Sequence, residues 1–540
     1  MGNAAGAGRL LSVKGLGPLF LVAMCLPTLL ALFSVIGSLF NPDTETLQHL
    51  ASYLLPQALA NTLLLVLGVA LCSSIVGVSL AWLTAVCDFP LRGFFSWALL
   101  LPMAIPGYVM AFAFVGLFEF SGPVQSLLRE WFGSSNWFPN VYSYGGVTLV
   151  MSLVLYPYVY LIARNAFQTQ GRRSIEVGQS LGLAPVASFL RVSLPMARPW
   201  IVGGVLLVVM ETLADFGTVA TFNYDTLTTL IYKSWFSLFS LEAALQVASV
   251  LLLAVVAIMA IERRSRRAQR YAQSSSSSLA AARFVLTGKR RWLALALCLL
   301  VFSFAFVLPS LRLLTWAIPN LTADVTAKFM IYVGGTLSLA SITMVLIAVL
   351  ALLLAYGARI NPSLPVRFAV RTSTLGYALP GTVLAIGLFA PISLLNNWLQ
   401  GMGVSATLLQ GTFLVMLMAY GVRFMAVAYS PIESNYLRIT PSIDDAAHSL
   451  GYTGLQVLRK VHLPIVQRGV LTAMALVFVD VMKELPITLM TRPFGFNTLA
   501  VRVFELSSEG LWERAALPAL AIMLVGLIPV MLLIKKTDSA

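Results

Sequence analysis

The chain carries EVGQSLG at residues 176–182 and DAAHSLG at residues 445–451. Each stretch is followed, after eleven residues, by a Leu-Pro pair, at 194–195 and at 463–464. The two copies lie 269 residues apart without a gap, in a chain of 540 residues. A pattern that recurs at half the chain length indicates an internal duplication.

The composition predicts a membrane protein. Hydrophobic residues make up 59% of the chain and charged residues only 10%, whereas soluble domains carry about 25% charged residues. Because one membrane-spanning helix needs roughly 20 apolar residues, the hydropathy pattern predicts twelve spans, six in each half. The predicted fold is an all-α membrane protein of two homologous six-helix halves. The predicted spans are residues 15–40, 57–86, 93–118, 143–163, 200–221, 243–261, 292–316, 333–357, 369–396, 409–430, 469–490 and 515–534.

Charge placement predicts the orientation of the chain and its division into domains. The formal net charge is +14, and most Lys and Arg residues fall in segments that are cytoplasmic when both termini are cytoplasmic, as the positive-inside rule expects. This placement favours a lipid bilayer over nucleic acid as the partner of the positive charge. The basic, serine-rich residues 263–291 predict a flexible cytoplasmic linker between a first domain, residues 1–262, and a second domain, residues 292–540.

The two copies lie in long predicted cytoplasmic loops, residues 164–199 (the first repeated loop) and 431–468 (the second repeated loop). In the second copy, Ser442 is placed to cap a helix, with Asp445 at the third helical position as in a capping box. Gly451 is placed to end this helix in the left-handed conformation. The first copy follows the same plan.

The second copy also predicts an apolar helix face and a further helix. Small apolar residues recur there at a spacing of three to four, which predicts one face of the helix; they are Ile443, Ala446, Ala447 and Leu450. Such a face suits docking into the groove of a partner, and the alternative is packing against the chain's own helices. The recurrence at equivalent places favours docking. A second short helix is expected at 455–462, ending at the Leu-Pro pair.

The second copy resembles the EAA loop of ABC-transporter permeases, since an acidic-Ala-Ala run is followed by Gly and later by Leu-Pro, before the penultimate span of its half. The first copy departs from this pattern because Val177 and Gly178 replace the two alanines. The resemblance implies the type I ABC importer permease fold, in which two permease domains present this loop to a separate ATPase. The residues that would take this coupling role are Glu176, Gly182, Leu194, Pro195, Asp445, Ala446, Ala447, Gly451, Leu463 and Pro464.

The resemblance also implies partners. An ATPase dimer would engage both repeated loops, and a periplasmic substrate-binding protein would deliver the cargo. No GxxxxGK[ST] phosphate-binding loop occurs in the sequence, so ATP and Mg²⁺ are expected on the separate ATPase chain. This chain is therefore predicted to be a transport subunit and not an enzyme, with no cofactor and no firm metal site of its own.

Charged residues occur inside the predicted span that follows each repeated loop. Glu211 and Asp215 lie in the first of these spans, and Asp480, Lys483 and Glu484 lie in the second. The carboxylates align in pairs at the offset of 269, and the members of a pair are four residues apart, which predicts one helical face. Lys483 is expected to neutralise one carboxylate. Because intramembrane charges usually face a bundle interior or a water-filled cavity, two interpretations stay open: a pathway for a cation, and a hydrogen-bonded interface or gate without cargo contact.

Two prolines are further candidates for the pathway or gate. Pro106, within Ile-Pro-Gly at 105–107, matches Pro380, within Leu-Pro-Gly at 379–381. Because proline removes one helical hydrogen bond, the third span of each half is expected to kink there. The kink either serves helix packing or lines the pathway.

The sequences around the charged spans are similar to those of ferric-iron import permeases. The similar stretches are METLADFGTV at 210–219, TLIYKSW at 229–235, DVMKELP at 480–486 and RPFGFNTL at 492–499. This resemblance implies uptake of Fe³⁺ across the inner membrane of a bacterium by a fused, two-domain permease. Thiamine and phosphonate permeases are related alternatives, and a secondary transporter with twelve spans is the rival outside the family.

Overall fold

The chain folds as a helical membrane protein. The computed structural model describes residues 19–40, 48, 50–170, 176, 178, 180, 182–267, 283–403 and 412–538. Within these ranges, twelve helical segments are long and apolar enough to cross a membrane, which confirms the predicted all-α fold and the number of spans. Most of the predicted linker, residues 268–282, lies outside the described part of the chain.

The helices are named here in chain order. Those of the first half are α1 (Leu26–Gly37), α2 (Leu55–Val86), α3 (Arg92–Ala98), α4 (Gly107–Phe118), α5 (Pro123–Phe132), α6 (Tyr144–Gln170), α7 (Pro185–Ser188), α8 (Leu194–Ala214), α9 (Gly217–Thr221), α10 (Leu227–Phe236) and α11 (Leu241–Arg267). Those of the second half are α12 (Lys289–Phe302), α13 (Leu308–Asp324), α14 (Ala327–Ile360), α15 (Leu364–Leu375), α16 (Gly381–Gly401), α17 (Phe413–Tyr436), α18 (Pro441–Ser449), α19 (Leu455–Val457), α20 (Leu463–Lys483), α21 (Pro486–Thr491), α22 (Leu499–Ser508) and α23 (Trp512–Asp538).

The helices pack as two compact units that do not follow the two halves of the sequence. Unit 1 contains the described residues of 1–47, 231–249 and 327–501, and unit 2 contains those of 48–230, 250–326 and 502–540. In unit 1, α1 from the start of the chain packs against α16 from the second half. In unit 2, α13 and α23 from the second half pack with first-half helices such as α4. The predicted domain boundaries describe the sequence repeat and stay a prediction.

Each unit is built around three mutually contacting helices at equivalent positions of the repeat. They are α2, α6 and α8 in unit 2, and α14, α17 and α20 in unit 1. In unit 2, two glycines let the helices approach closely. A Cβ at Gly77 would lie 2.8 Å from Val159 Cβ, and a Cβ at Gly204 would lie 3.0 Å from Val159 Cα. Small residues at such crossings are a common means of close helix packing in membranes.

The third span of each half is broken and not merely kinked, which corrects the sequence prediction. Ile105 and Leu379 have extended backbones, with ψ of 118° and 130°. Helices α4 and α16 begin directly after Pro106 and Pro380. Proline disfavours the helical conformation of the residue before it and gives up one backbone donor. The chain therefore leaves the helix where the apolar run alone predicts a continuous one.

A short parallel sheet, which the sequence pattern does not predict, lies at the end of α2. Strand β1 (Cys87–Asp88) pairs with strand β2 (Phe284–Val285), and Leu286 N donates to Asp88 O at 3.0 Å. The last carbonyls of a helix lack partners within the helix, and the chain that follows them often turns to find new ones. Here residues 284–286, which lie within the predicted flexible linker, are held beside the end of the second span.

Gly77→Ala is expected to destabilise the protein, because the new methyl group must displace α6 at Val159. Overpacking of this kind costs about 1–3 kcal/mol. The matched control is Gly421→Ala in the interior of α17, where a Cβ meets nothing within 4 Å and the change favours the helix by up to about 1 kcal/mol. Thermal unfolding of the purified variants measures the difference, and equal midpoints would contradict the packing argument.

Candidate functional site

The helix of the second repeated loop, α18, begins earlier than predicted. Its N-cap is Thr440 and its first turn contains Pro441, so Ser442 lies inside the helix. Ser442 Oγ shares a hydrogen bond of 2.8 Å with Thr440 Oγ1, and Thr440 makes no side-chain cap bond. The predicted capping box is therefore wrong. Proline is favoured in the first turn because its missing N–H needs no partner there, and this preference moves the start of the helix.

Both repeated loops end their helix with the same glycine turn, as predicted. Gly182 has a φ of +79° and Gly451 has a φ of +81°. In the second loop, the amide after the glycine donates to Ala447 O at 3.0 Å. In the first loop, the amide after the glycine donates to Gly178 O, also at 3.0 Å. This bond is the signature of the Schellman motif, and it recurs at the offset of 269 residues.

The departure of the first copy from the acidic-Ala-Ala pattern has a structural cause. Gly178 takes the position of Ala447, and both are buried. A Cβ at Gly178 would lie 2.6 Å from Ser188 Cβ and 3.1 Å from Ser188 Cα. The first repeated loop therefore packs on α7 more closely than alanine would permit.

The Leu-Pro pairs do not stop a helix, which corrects a further part of the prediction. The π-helical segments Phe189–Ser193 and Leu458–His462 run directly into α8 and α20. Pro195 and Pro464 lie in the first turn of these helices, where no N–H is required. The leucine before each proline donates its N–H five residues back. The π-type hydrogen bond thus lets the helix continue past the proline, and each loop runs into its span without a break.

Helix α18 presents two sides, where the sequence predicted one apolar face. Ala447 is buried and Ile443 is half-buried, so both face the rest of unit 1. Asp445 and Ala446 are exposed, and Leu450 keeps 76% of its side-chain surface exposed. The helix is rotated so that the residues of the predicted apolar set divide between the protein and the surface.

The first repeated loop leaves equivalent residues on its surface. Glu176, which aligns with Asp445, is exposed, and so is Gly182, which aligns with Gly451. The acidic residue and the turn glycine are therefore accessible in both loops.

Asp215, the second carboxylate of the first pair, caps a short helix. Helix α8 ends just before it, and Asp215 itself is extended, with a ψ of 134°. Its side chain accepts hydrogen bonds from Thr218 N at 3.0 Å, Val219 N at 3.2 Å and Thr218 Oγ1 at 2.8 Å. These donors belong to the first turn of α9, whose backbone N–H groups have no partner within the helix.

Glu484 caps the short helix α21 in unit 1 in the same way. Its backbone is extended, with a ψ of 125°. Its side chain accepts from Ile487 N at 3.0 Å and from Thr488 N and Thr488 Oγ1 at 3.2 Å. Because a helix ends just before each of these carboxylates, the members of a pair do not share one helical face, and that prediction is wrong.

The broken third span of each unit lies against the capping carboxylate. A Cβ on the glycine after Pro106 would lie 3.2 Å from Asp215 Oδ2, and a Cβ on the glycine after Pro380 would lie 3.0 Å from Glu484 Oε1. The structure thus places the Pro106 break beside Asp215 in unit 2 and the Pro380 break beside Glu484 in unit 1.

The first carboxylate of each pair lies within its helix. Asp480 Oδ1 forms an ion pair with Lys483 Nζ at 3.0 Å, and both side chains are partly exposed, by 26% and 31%. The expected neutralisation of one carboxylate is therefore present. Glu211 is half-buried, and at the position that aligns with Lys483 the first half carries Ala214. Among the residues that the structure describes, no three His, Cys, Asp or Glu side chains are grouped so as to hold a metal ion.

In each half, a threonine near the start of the second span caps another helix, and the sequence pattern does not predict this role. Thr62 Oγ1 accepts from Leu227 N at 3.0 Å, and Thr336 Oγ1 accepts from Leu499 N at 2.8 Å. A threonine of α2 thus caps α10 in unit 2, and a threonine of α14 caps α22 in unit 1. The aligned Thr-Leu pairs at 62–63 and 336–337 are the only sequence signal of this role.

Comparison with known proteins finds relatives among transport permeases. A Fe(3+)-transport system permease of Haemophilus influenzae is 26% identical over 517 residues, which cover 95% of this chain and 96% of that protein. A molybdenum transport system permease of Escherichia coli is 25% identical over 146 residues, or 27% of this chain. The chain is a transport permease. A protein of Salmonella typhimurium named as a 2-aminoethylphosphonate transport system permease is 34% identical to this permease over 130 residues.

The match with the Haemophilus protein runs along almost the whole permease, as a fused, two-domain chain requires. The permease spans 62% and 48% of the lengths of the molybdenum and aminoethylphosphonate relatives. No family model matches the chain. The permease is thus a multi-pass membrane protein that serves as a transport subunit.

Arg423 is a residue of the charged cluster in unit 1 that sequence reasoning missed. Its Nη1 donates to Leu379 O at 3.0 Å, immediately before the proline break. Its positive charge also acts on Glu484. At the offset of 269 the first half carries Val154, so the basic residue belongs to one half of the permease. A lone arginine within the predicted span 409–430 is the signal that could have identified it.

Asp215→Ala is expected to destabilise the permease by about 1 kcal/mol, because α9 loses its cap. Asp215→Asn keeps an oxygen acceptor at the same place and is expected to unfold closer to the wild type. Thermal unfolding of the purified variants provides the comparison. Should the two variants unfold at the same temperature, the carboxylate does not act as a cap.

Proposed function

We propose that the permease is the membrane-spanning subunit of an ATP-driven, binding-protein-dependent importer of ferric iron. The observation that supports this cargo is the end-to-end similarity to a Fe(3+)-transport system permease, at 26% identity over 95% of the chain. The proposed location is the inner membrane of a bacterium, with both termini in the cytoplasm, because this orientation places most Lys and Arg residues on the cytoplasmic side.

The two repeated loops are the proposed docking sites for an ATPase dimer. Their support is the common geometry of the loops: a short helix, a left-handed glycine and a π turn that leads into a span. The exposed side of α18, with Asp445, Ala446 and Leu450, is accessible to a partner. ATP and Mg²⁺ are used on that partner, and this chain binds no cofactor. Closure of the ATPase dimer would move both loops, and the π turns would pass that motion to α8 and α20 as alternating access requires.

The proposed cargo contacts are Glu211 and Asp480. Hard cations such as Fe³⁺ prefer oxygen ligands, and both side chains are partly exposed within their spans. Asp215 and Glu484 are less available, since each already accepts three hydrogen bonds from a helix start. A periplasmic substrate-binding protein would deliver the cargo from the other side of the membrane.

An oxyanion is the second candidate cargo. It is favoured by the partial matches to molybdenum and aminoethylphosphonate permeases and by the single arginine beside the broken span of unit 1. Lys483 and Arg423 would then be the relevant charges.

Uptake into proteoliposomes tests the proposed function. The permease, reconstituted with an ATPase subunit and a substrate-binding protein from the same organism, is expected to accumulate radioactive Fe³⁺ only when ATP is present. Glu211→Gln combined with Asp480→Asn is expected to lower this uptake about tenfold, since a hydrogen bond to a charged group contributes roughly 1.5–3 kcal/mol. Asp88→Asn, at the end of α2, is the control for loss of a carboxylate.

Two results would overturn the assignment. Uptake that requires a proton gradient and does not depend on ATP would identify a secondary transporter. Uptake of molybdate or a phosphonate in place of iron would replace the cargo and keep the ABC mechanism.

The docking proposal is tested by the paired turn glycines. Gly182→Val with Gly451→Val is expected to abolish transport and weaken co-purification of the ATPase, because a left-handed φ costs an L-residue roughly 1–2 kcal/mol. Asparagine tolerates this conformation, so the paired Asn variant is expected to retain binding. Gly93→Val is the matched control, because that glycine is exposed and has open space around it. Full ATPase binding by the paired Val variant would refute docking at these turns.

A further inference from the structure

One carboxylate of the second repeated loop joins three elements of unit 1. Asp444 Oδ1 lies 2.6 Å from His462 Nε2. Asp444 Oδ2 accepts from Arg359 Nη2 at 2.6 Å and from Arg359 Nε at 3.1 Å. Arg359 lies at the end of α14, Asp444 lies in α18, and His462 lies in the π turn that leads into α20. These three residues are called the Asp444 clamp.

The clamp is shielded from solvent and electrostatically matched. His462 is 1% exposed, Arg359 is 22% exposed and Asp444 is 26% exposed. Burial alone would raise the pKa of Asp444, but the hydrogen bonds from His462 and Arg359 outweigh it and lower that pKa below its ordinary value. Asp444 is therefore charged at neutral pH. Charge-assisted hydrogen bonds of this kind are short, strong and directional.

Two tyrosines complete the surroundings of the clamp. Tyr356 OH donates to Gly454 O at 2.5 Å, which fastens the turn after α18 to α14 a second time. The rings of Tyr356 and Tyr436 stand edge-on to the His462 imidazole, each with a centroid distance of 5.5 Å. The titratable and charged groups that face Asp444 are thus Arg359, His462 and these two tyrosines.

The first half carries different residues at the positions aligned with Arg359 and His462. The sequence carries Ala85 where the clamp has Arg359, at the offset of 274, and Ser193 where it has His462, at the offset of 269. Phe189 instead packs against Trp82 with a centroid distance of 4.8 Å and against Phe167 at 5.9 Å.

The clamp connects α18 to features at the far ends of two helices. Helix α20 carries Asp480 and Lys483 in its last turn and ends just before Glu484. Helix α14 carries Thr336, which caps α22. A displacement of α18 that keeps the clamp intact must move both helices together, because both are bonded to the same carboxylate.

We propose that Arg359, Asp444 and His462 are positioning residues that hold the second repeated loop rigidly to α14 and α20, so that force applied to α18 reaches both helices as one body. This inference rests on the proposed ATPase docking. The clamp faces the protein, whereas the docking side of α18 faces outward. Loss of the clamp therefore affects the transmission of force more than the binding of the ATPase.

Asp444→Asn tests the clamp through two measurements on the full-length permease. Hydrogen–deuterium exchange of residues 441–454 in the chain alone is expected to become about tenfold faster, as for a partly buried charge pair that is broken. In the reconstituted importer, cargo molecules moved per ATP hydrolysed are expected to fall about fivefold, the lower end of typical coupling effects. ATPase affinity stays near that of the wild type. Arg359→Gln together with Asp444→Asn is expected to be no worse than Asp444→Asn alone, because the loss of the Asp444 carboxylate already breaks the contact with Arg359.

The pH dependence of exchange separates the clamp from general destabilisation. A carboxyl group with a lowered folded pKa stabilises the folded state above the unfolded pKa and loses this effect as the pH falls through the folded value. Protection of α18 is therefore expected to hold at mildly acidic pH and to decline only below the ordinary carboxyl value of 3.8. Asp444→Asn is expected to lack this step. Arg367→Gln, which removes an arginine of unit 1 that donates to Pro362 O, is the control and is expected to behave as the wild type in exchange and in coupling.

Each contrary result has a distinct meaning. Unchanged exchange of 441–454 in Asp444→Asn would show that the clamp does not hold α18. Faster exchange with unchanged transport per ATP would show that rigidity of this loop is irrelevant to coupling, and either result overturns the inference. Failure of the wild-type permease to bind the ATPase would instead overturn the docking proposal itself, and with it the coupling role of the clamp.

Discussion

Within a membrane, each backbone N–H and C=O group must find its partner inside the protein, and this requirement governs the charged clusters of the permease. The ends of α8 and α20 are followed by the short helices α9 and α21, whose first N–H groups lack partners within the helix. Asp215 and Glu484 supply three hydrogen bonds each at these points. An unpaired carboxylate inside a span costs free energy. Here the hydrogen bonds from the N–H groups at the start of α9 or α21 offset that cost.

The duplication reproduces backbone solutions in both halves and leaves side-chain contacts to diverge. The left-handed glycines, the π turns before α8 and α20, and the capping threonines and carboxylates all recur. In each copy they end a helix, carry a helix past a proline or cap the start of a helix. The ion pair of Asp480 with Lys483, the arginine beside the broken span and the Asp444 clamp occur in the second half, where aligned first-half positions carry Ala214, Val154 and Ala85. A duplicated scaffold can thus carry different side-chain contacts in its two halves.

The errors of sequence reasoning have physical causes at particular residues. Ser442 does not cap α18 because Pro441 already occupies the first turn. The carboxylates four residues apart do not share a face because the helix ends between them. Asp444 escaped notice because it adjoins Asp445, and local spacing does not say which of two neighbouring acids points into the protein. The turn glycines were predictable, because the left-handed conformation is a local backbone property that favours glycine.

The sequence by itself determined the twelve spans, the duplication and the two repeated loops. Hydropathy, repeat spacing and turn glycines depend only on the order of residues along the chain. Tertiary structure alone decided which side chains form the Asp444 clamp, because Arg359 and His462 come from other helical segments than Asp444. Arg359 is 85 residues from Asp444, and no local pattern links them. Their contact exists because α14 and α18 pack in one unit, where a buried carboxylate must find a basic partner.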